Sequence, residues 1–270
     1  MADFRYSLNG STIRPTPLME KIRIAGAVGY EGIEIWHDDI DAYLNSGGSL
    51  RDVRKALDDQ QLEVPTTIYL GDWFDTTGNA YQQALDECKR RMNQSAELGA
   101  PYAIAGPPGG KADYSLGAAH YRELLELGAT IGVKPSMEFL GFVEQLNTIE
   151  DALEIIDACG HPDATTVLDP FHIQRGGGDV ESISKLTEKQ IAIAHFMDTV
   201  NEPSREQQED RDRVMPGDGV FDLKRYLDLL RGIGYRRFLS LELFREDLWE
   251  QDPLKVAEQG LEKMRAVVEG

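Results

Sequence analysis

Four side chains that can bind a metal ion each follow a short apolar run of the sequence. The runs read Ser-Met-Glu138-Phe, Val-Leu-Asp169-Pro, Ile-Ala-His195-Phe and Leu-Ser-Leu-Glu242. Three carboxylates and one imidazole suit a divalent ion of Mn, Zn, Fe, Co or Mg. If the runs are successive parallel strands of a barrel, their carboxyl ends meet on one face and the four side chains converge there. The pattern predicts an enzyme with one divalent metal ion.

The same four residues have a plainer structural interpretation when each is considered alone. A carboxylate that follows a strand often caps the N-terminus of the next helix. Caps are a poorer explanation for four such residues at the ends of four successive strands. Three buried carboxylates without a cation would also repel one another and tend to take up protons. The constellation therefore favours a metal site.

The elements that must position these residues alternate regularly along the chain. The predicted strands are Phe4–Leu8, Gly32–Ile35, Val64–Tyr69, Tyr102–Ala105, Lys134–Phe139, Thr166–Leu168, Ile191–Phe196 and Phe238–Leu243. The predicted helices are Pro17–Val28, Leu50–Gln60, Asn79–Leu98, Leu116–Ile131, Ile149–Ala158, Val180–Leu186, Asp222–Ile233 and Pro253–Val268. Such alternation indicates a parallel sheet, because each parallel pairing needs a crossover. Eight units in 270 residues favour a (β/α)8 TIM barrel, with residues 1–270 forming a single domain.

Composition narrows the classes of partner. The net charge is −19 and the isoelectric point about 4.6, so the surface would repel a phosphate backbone and no nucleic-acid partner is expected. The two cysteines, Cys88 and Cys159, have neither CxxC spacing nor a disulfide framework. The first residues contain no apolar signal segment, and no run reaches transmembrane length. We therefore expect a cytoplasmic, soluble protein without a membrane partner, and a homo-oligomer stays open.

Several stretches of the chain, densest between about Lys134 and Arg245, carry a resemblance to a known family. They read Met-Glu138-Phe-Leu-Gly, Val-Leu-Asp169-Pro-Phe-His172, His195-Phe-Met-Asp198-Thr, Arg213-Val-Met-Pro-Gly-Asp-Gly and Ser-Leu-Glu242-Leu-Phe-Arg. The chain resembles the xylose-isomerase-like TIM-barrel superfamily of sugar isomerases and epimerases, which includes endonuclease IV. Within that superfamily the likeness is greatest to the inosose (2-keto-myo-inositol) isomerases of inositol catabolism.

The resemblance implies a proton shift between a carbonyl carbon and its neighbouring hydroxyl carbon. The intermediate would be an enediolate, whose charge a divalent metal ion stabilises. Glu138 and Glu242 would each bind the metal and also act as acid and base toward the substrate. Asp169 and His195 would be mainly metal ligands. The substrate would be a small sugar or cyclitol.

Other residues in the same stretches are candidates for binding or orientation. The resemblance implies that His172 and Arg213 bind substrate oxygens, whereas a polar loop histidine and a surface ion pair are the plainer interpretations. Asp198 could orient one of the metal ligands, although helix capping explains it equally well. Arg213 lies in a long, charged segment, Thr199–Val220, which is either a solvated excursion or an ordered lid.

The substrate pocket is where the chain departs from the inosose isomerase pattern. Trp36, Trp73 and Phe74 are predicted to form an apolar wall against a sugar ring, with His37 at its polar edge, although ordinary packing is the commoner use of such aromatics. The glycine-rich stretches lack a Walker pattern and are interpreted as turns. An unphosphorylated substrate is therefore favoured.

The residues leave several activities open. A keto-cyclitol isomerase leads, and a ketose 3-epimerase or hydroxypyruvate isomerase would use nearly the same residues. A dehydratase-type lyase is a further alternative, because an enediolate can also expel a β-hydroxyl group. An endonuclease IV-like hydrolase is disfavoured by the five histidines and the charge of −19. A non-catalytic sugar-binding protein is disfavoured by the complete set of four ligands.

Overall fold

Eight parallel strands form a closed barrel in the computed structural model, which describes residues 4–270. The strands are β1 (Arg5–Asn9), β2 (Gly32–Trp36), β3 (Thr66–Leu70), β4 (Tyr102–Ala105), β5 (Lys134–Met137), β6 (Thr166–Leu168), β7 (Ile191–His195) and β8 (Phe238–Leu241). Each strand pairs with its neighbours in sequence, and β1 pairs with β8 to close the barrel. The predicted TIM barrel is confirmed.

Ten α-helices are found within residues 4–270. They are α1 (Leu18–Val28), α2 (His37–Asn45), α3 (Leu50–Asp59), α4 (Gly78–Glu97), α5 (Tyr114–Ile131), α6 (Ile149–Cys159), α7 (Pro170–Gly176), α8 (Leu223–Gly232), α9 (Glu246–Trp249) and α10 (Pro253–Glu269). The sequence did not predict α2, α7 and α9. The helix predicted at Val180–Leu186 is a 3-10 helix over Val180–Lys185. In the described part of the chain, no helix is both long and apolar enough to cross a membrane.

A layer of apolar side chains fills the barrel interior. The cluster takes residues from five strands and none from a helix, as expected for the barrel interior: Ile68, Ile104, Val167, Ile193 and Phe238. Side chains two residues apart on a strand point to the same side. Asp169 and His195 each lie two residues beyond a member of this layer and therefore project into the same end of the barrel.

Candidate metal centre

The four predicted ligands converge at the carboxyl ends of β5 to β8. Glu138, Asp169, His195 and Glu242 are all buried, and each offers one ligand atom within 4.8 Å of the others. Nδ1 of His195 lies 3.1 Å from Glu242 Oε2, 3.2 Å from Asp169 Oδ2 and 3.6 Å from Glu138 Oε1. Side chains from four strands thus surround one small volume.

Asp169 combines the two interpretations that its position in the sequence allows. Its Oδ1 accepts the backbone N–H of His172 at 3.0 Å and so caps α7, which begins at Pro170. Proline suits this first helical position because it has no N–H to leave unpaired. The other oxygen, Oδ2, faces His195. A helix cap and a candidate metal ligand therefore coexist in one side chain.

The charges of the site set the pKa values of its carboxyl groups. Burial, together with the nearby Glu242 and Asp169, holds the pKa of Glu138 well above its ordinary value despite the opposing effect of His195. Burial also raises the pKa of Glu242. Burial would raise the pKa of Asp169 too, but the charge of Arg213 and the bond to His195 hold it well below its ordinary value.

This donor set fits a divalent cation. Among the described residues, Glu138 Oε1 is buried and has no hydrogen-bond partner. A buried carboxylate oxygen without a partner is costly, and a cation between the carboxylates would remove both that cost and their repulsion. Three carboxylate oxygens and one imidazole nitrogen also match the ligand types of Mn, Fe, Co and Zn.

Arg213 reaches into the site from the loop after β7. Its Nη1 donates to Asp169 Oδ2 at 2.6 Å and to Glu242 Oε2 at 3.1 Å, and its Nη2 donates to Asp210 Oδ1 at 3.0 Å. The side chain is 1% exposed, and its guanidinium lies over the ring of Phe171 at 4.5 Å. The loop therefore delivers one buried cation to two of the candidate ligands.

His172 places a second nitrogen beside this guanidinium. Its Nδ1 accepts the backbone N–H of Gly141 at 3.1 Å, and its Nε2 lies 3.1 Å from Arg213 Nη2. Burial lowers the pKa of His172 to about 4, so the ring is neutral and carries one proton. Nε2 in turn faces an N–H of Arg213, so the two ring nitrogens compete for the one acceptor position that a neutral ring offers. Arg213 and His172 therefore lie in direct contact beside the candidate ligands.

Comparison with known proteins identifies the family. The sequence pattern of the xylose isomerase-like TIM barrel family matches residues 22–267. This chain belongs to that family. An inosose isomerase from Bacillus velezensis is 28% identical over 266 residues, which cover 96% of this chain and 94% of that protein. The crystal structure of the IOLI protein with a binding zinc atom superposes with a TM-score of 0.91 at 27% identity, covering 98% of each chain. The predicted resemblance is confirmed.

A second relative in this comparison has a different activity. A 3-dehydroshikimate dehydratase from Pseudomonas aeruginosa is 29% identical over 244 residues. The match covers 85% of this chain but only 36% of that longer protein. Family membership therefore accommodates both isomerases and a dehydratase.

In this family member, Trp36 is linked to the candidate ligand Glu242 through Asn9. The indole Nε1 of Trp36 donates to Asn9 Oδ1 at 2.8 Å, and Asn9 Nδ2 donates to Glu242 Oε1 at 2.9 Å. The half-buried Trp36 ring also meets Phe244 edge to face at 5.9 Å between centroids. One member of the predicted aromatic wall thus lies beside the candidate site.

The other members of that wall pack into the helical layer instead. His37 is buried at the start of α2, and its Nδ1 contacts Gln94 Oε1 of α4 at 2.8 Å. Trp73 and Phe74 are 0% and 2% exposed, and Trp73 packs against Tyr121 of α5 at 5.6 Å between ring centroids. The structure therefore gives these three side chains packing contacts and does not bring them to the four ligands.

Asp198 holds the loop after β7 and does not contact the ligands directly. Its Oδ1 accepts the backbone N–H groups of Thr199 and Phe221 at 2.8 and 2.9 Å, and its Oδ2 accepts that of Gly217 at 3.1 Å. These bonds tie the two ends of the segment that carries Arg213. These N–H groups belong to loop residues, and α8 is capped by Asp222, so these bonds of Asp198 neither cap that helix nor reach one of the four candidate ligands.

Two polar residues of the site had no role in the sequence analysis. Glu34 is 0% exposed on β2, where its Oε2 lies 3.3 Å from His195 Nε2. Asn9, at the end of β1, bonds both Glu34 and Glu242. The available signal was a carboxylate within the apolar run Gly-Ile-Glu34-Ile, which a buried strand tolerates only when the charge is compensated.

A depression of about 870 Å³ opens beside the loop that carries Arg213. Its lining includes Phe142, Phe244 and Trp249, together with the exposed cation Arg14 and Asp210, which bonds Arg213. Phe142 is 40% exposed and also meets the ring of His172 edge to face at 5.2 Å. The depression has room for a sugar-sized molecule and adjoins residues that contact the site.

Proposed function

We propose that this chain is a divalent-metal-dependent isomerase or epimerase of an unphosphorylated sugar or keto-cyclitol such as 2-keto-myo-inositol. The observation that carries the proposal is the convergence of three carboxylates and one imidazole within 4.8 Å, with Arg213 bonded to two of those carboxylates. The inosose isomerase relatives, one matched over 96% of this chain, support an enzyme that acts on a sugar-like substrate.

The metal ion would be held by carboxylate oxygens of Glu138, Asp169 and Glu242 and by Nδ1 of His195. When bound, such an ion acts as a Lewis acid toward negative charge on substrate oxygens. Zinc is supported by the metal of the IOLI structure. The ligand types alone admit Mn, Fe, Co or Mg as well.

Glu138 and Glu242 would move the substrate proton. They follow β5 and β8, which are separated by two strands of the barrel, so their carboxyl groups approach the site from different directions. Glu242 Oε1 is held by Asn9, whereas Glu138 Oε1 has no hydrogen-bond partner among residues 4–270. One glutamate, as the carboxylate, would remove the proton from the carbon beside the carbonyl. The other, in its protonated form, would deliver a proton to the opposite face of that carbon in an epimerase or to the former carbonyl carbon in an isomerase, where the hydroxyl proton also passes between the two substrate oxygens. Proton exchange with solvent would then return both glutamates to their starting states.

Arg213 and His172 would bind the substrate oxygen that gains negative charge. The Arg213 guanidinium and the His172 ring lie side by side, with 3.1 Å between Nη2 and Nε2. Donors already fixed before the reaction stabilise a developing oxyanion without reorganising. Burial lowers the pKa of His172 to about 4, so its ring adds no second positive charge beside Arg213.

The decisive test measures proton exchange in deuterium oxide with metal-loaded protein and an inosose substrate. We expect Glu242→Gln and Glu138→Gln each to bind substrate but to abolish deuterium incorporation at the α-carbon. Glu262→Gln, which changes an exposed glutamate on α10, is the matched control and should exchange normally. Full exchange in the Glu242→Gln variant would refute the two-glutamate mechanism, and three metal ions per chain would favour a hydrolase.

A dehydratase-type lyase is the second candidate. It is supported by the 29% identity to the Pseudomonas dehydratase over 85% of this chain. The two activities share proton removal beside a carbonyl and differ in whether a β-hydroxyl then leaves. A substrate screen with inososes, ketoses, hydroxypyruvate and 3-dehydroshikimate separates them, because only elimination produces a conjugated, ultraviolet-absorbing product. Conversion of ketoses or hydroxypyruvate alone would instead favour a 3-epimerase or hydroxypyruvate isomerase.

A further inference from the structure

We propose that Glu34 is a positioning residue that orients His195 for metal binding and thereby sets the affinity of the site; the inference rests on the metal-dependent function proposed above. The imidazole of His195 lies between two acidic groups. Its Nδ1 faces the carboxylates of Asp169 and Glu242, and its Nε2 lies 3.3 Å from Glu34 Oε2 and 3.4 Å from Oε1.

This placement determines which nitrogen of His195 is available to an ion. A neutral imidazole carries one proton, and the nitrogen without it supplies the lone pair for a metal. The Glu34 carboxylate can only accept, so it favours the proton on Nε2 and leaves the Nδ1 lone pair directed toward the other carboxylates. A carboxylate behind a metal-binding histidine also raises the basicity of the ligand nitrogen.

Glu34 is itself held in one orientation. The hydroxyl of Thr66 donates to its Oε1, and Asn9 Nδ2 donates to its Oε2 at 3.1 Å. The side chain is 0% exposed, and within residues 4–270 His195 is the only ion-pair partner found for it. Burying a carboxylate is costly unless its charge is used, so a role toward His195 accounts for its presence inside the barrel.

Asn9 links Glu34 to Glu242, which lies on the opposite side of His195. Asn9 and Glu34 are register partners on β1 and β2, which brings the amide beside the carboxylate. Asn9 Oδ1 accepts from Trp36 and from the backbone N–H of Ser11, so its Nδ2 is directed to Glu34 and to Glu242. One amide with both ends engaged thus fixes two carboxylates around His195.

Zinc titration by calorimetry tests the proposal in the metal-free protein. Glu34→Gln keeps the size of the side chain and removes its charge, and we expect zinc affinity to fall about 10- to 100-fold, the range found when such supporting carboxylates are lost. Glu150→Gln is the control, because this carboxylate on α6 pairs with Lys185 of the 3-10 helix and contacts no ligand of the site. Its zinc affinity should equal that of the wild type.

The outcomes separate this inference from the proposed function. If the wild type binds no divalent ion, the proposed function fails. If the wild type binds zinc and the zinc affinity of Glu34→Gln is within about threefold of the wild-type value, the positioning role is wrong while the metal site stands. Should Glu34→Gln not fold, nitrogen-15 NMR of histidine-labelled, zinc-loaded wild type decides. We expect His195 to bind zinc through Nδ1 with a proton on Nε2, and zinc on Nε2 would overturn the proposal.

Discussion

The guanidinium of Arg213 and the carboxylate of Asp169 form a buried ion pair with 2.6 Å between Nη1 and Oδ2 and about 1% exposure of either side chain. The pair joins the loop after β7 to the end of β6. Because Asp169 is also a candidate metal ligand, the group that would bind substrate and the group that would bind metal share one contact. Arg213 is therefore the residue through which a change in the loop would reach the chemistry.

Arg213→Lys should reduce catalysis far more than metal binding. Lysine keeps a positive charge but loses the planar fork that reaches Asp169, Glu242 and Asp210 at once. We expect kcat/KM to fall about 100- to 1000-fold, as for loss of an oxyanion donor. Steady-state kinetics and zinc stoichiometry measure the two effects. Arg205→Lys, an exposed change in the same loop, should leave kcat/KM unaltered. Wild-type kcat/KM in Arg213→Lys would contradict the role of the guanidinium.

Removal of the metal should destabilise the folded protein. An ion that binds only the folded state contributes about 4 kcal/mol when its free concentration is roughly a thousand times its dissociation constant. The four ligands come from four different strands, so the unfolded chain has no comparable site. Thermal unfolding before and after chelation measures the change, and zinc should restore the original midpoint. Asp169→Asn should lack the zinc-dependent shift, and an equal shift in that variant would exclude this site as its source.

The four candidate ligands were predictable because strand periodicity places them without any knowledge of contacts. Each follows an apolar run, and the ends of successive parallel strands must meet in a closed barrel. Asp169 shows why the competing cap interpretation did not mislead, since the same side chain both caps α7 and faces His195. Periodicity and topology were sufficient for this part of the site.

Side-chain direction in the loops was not predictable in the same way. Trp36 and His37 are adjacent, yet one turns toward Asn9 at the barrel end and the other toward Gln94 in the helical layer. Glu34 was missed because its ion-pair partner, His195, lies 161 residues away along the chain. Only the closed barrel brings such partners together.

Phe74→Ala should reduce stability and leave substrate binding unchanged. Phe74 is 2% exposed and packs so closely on α5 that a Cβ added at Gly117 would lie 2.0 Å from its ring. We expect a loss of about 3 to 5 kcal/mol in the free energy of unfolding, typical of a buried phenylalanine. Urea unfolding measures the loss, and KM should stay within twofold at a temperature where the variant is folded. A large rise in KM would show instead that Phe74 contributes to substrate binding, as the sequence predicted.

Trp36→Phe should reduce kcat/KM more than it reduces the stability of the fold. Phenylalanine keeps an aromatic ring but removes the indole N–H that Asn9 Oδ1 accepts at 2.8 Å. The Asn9 amide can then reorient, which would weaken its hold on Glu242. We expect kcat/KM to fall about tenfold, corresponding to roughly 1.4 kcal/mol, with a smaller change in unfolding free energy. Unchanged kinetics would show that Asn9 keeps its orientation without Trp36.

His37 should make the protein less stable as the solution becomes acidic. Burial lowers the pKa of His37 to about 4, although the bond to Gln94 opposes the shift, whereas the unfolded chain has the ordinary value of about 6.5. Between these values the unfolded state binds the extra proton, so stability is lost as the pH falls from about 6.5 toward about 4. The nearby Asp41 favours the charged ring, and Arg90 and Arg91 oppose it.

The contribution of His37 can be isolated by comparing the wild type with His37→Gln in the presence of a chelator. From the two pKa values, the wild type should lose about 2 kcal/mol more unfolding free energy than the variant between about pH 7 and about pH 5. Urea unfolding at each pH gives the difference, and carboxylates common to both proteins cancel. Equal losses of unfolding free energy in the wild type and the variant would mean that the His37 ring is protonated in the folded protein. Its contact with Gln94 Oε1 at 2.8 Å would then have to stabilise the charged ring against the cost of burial.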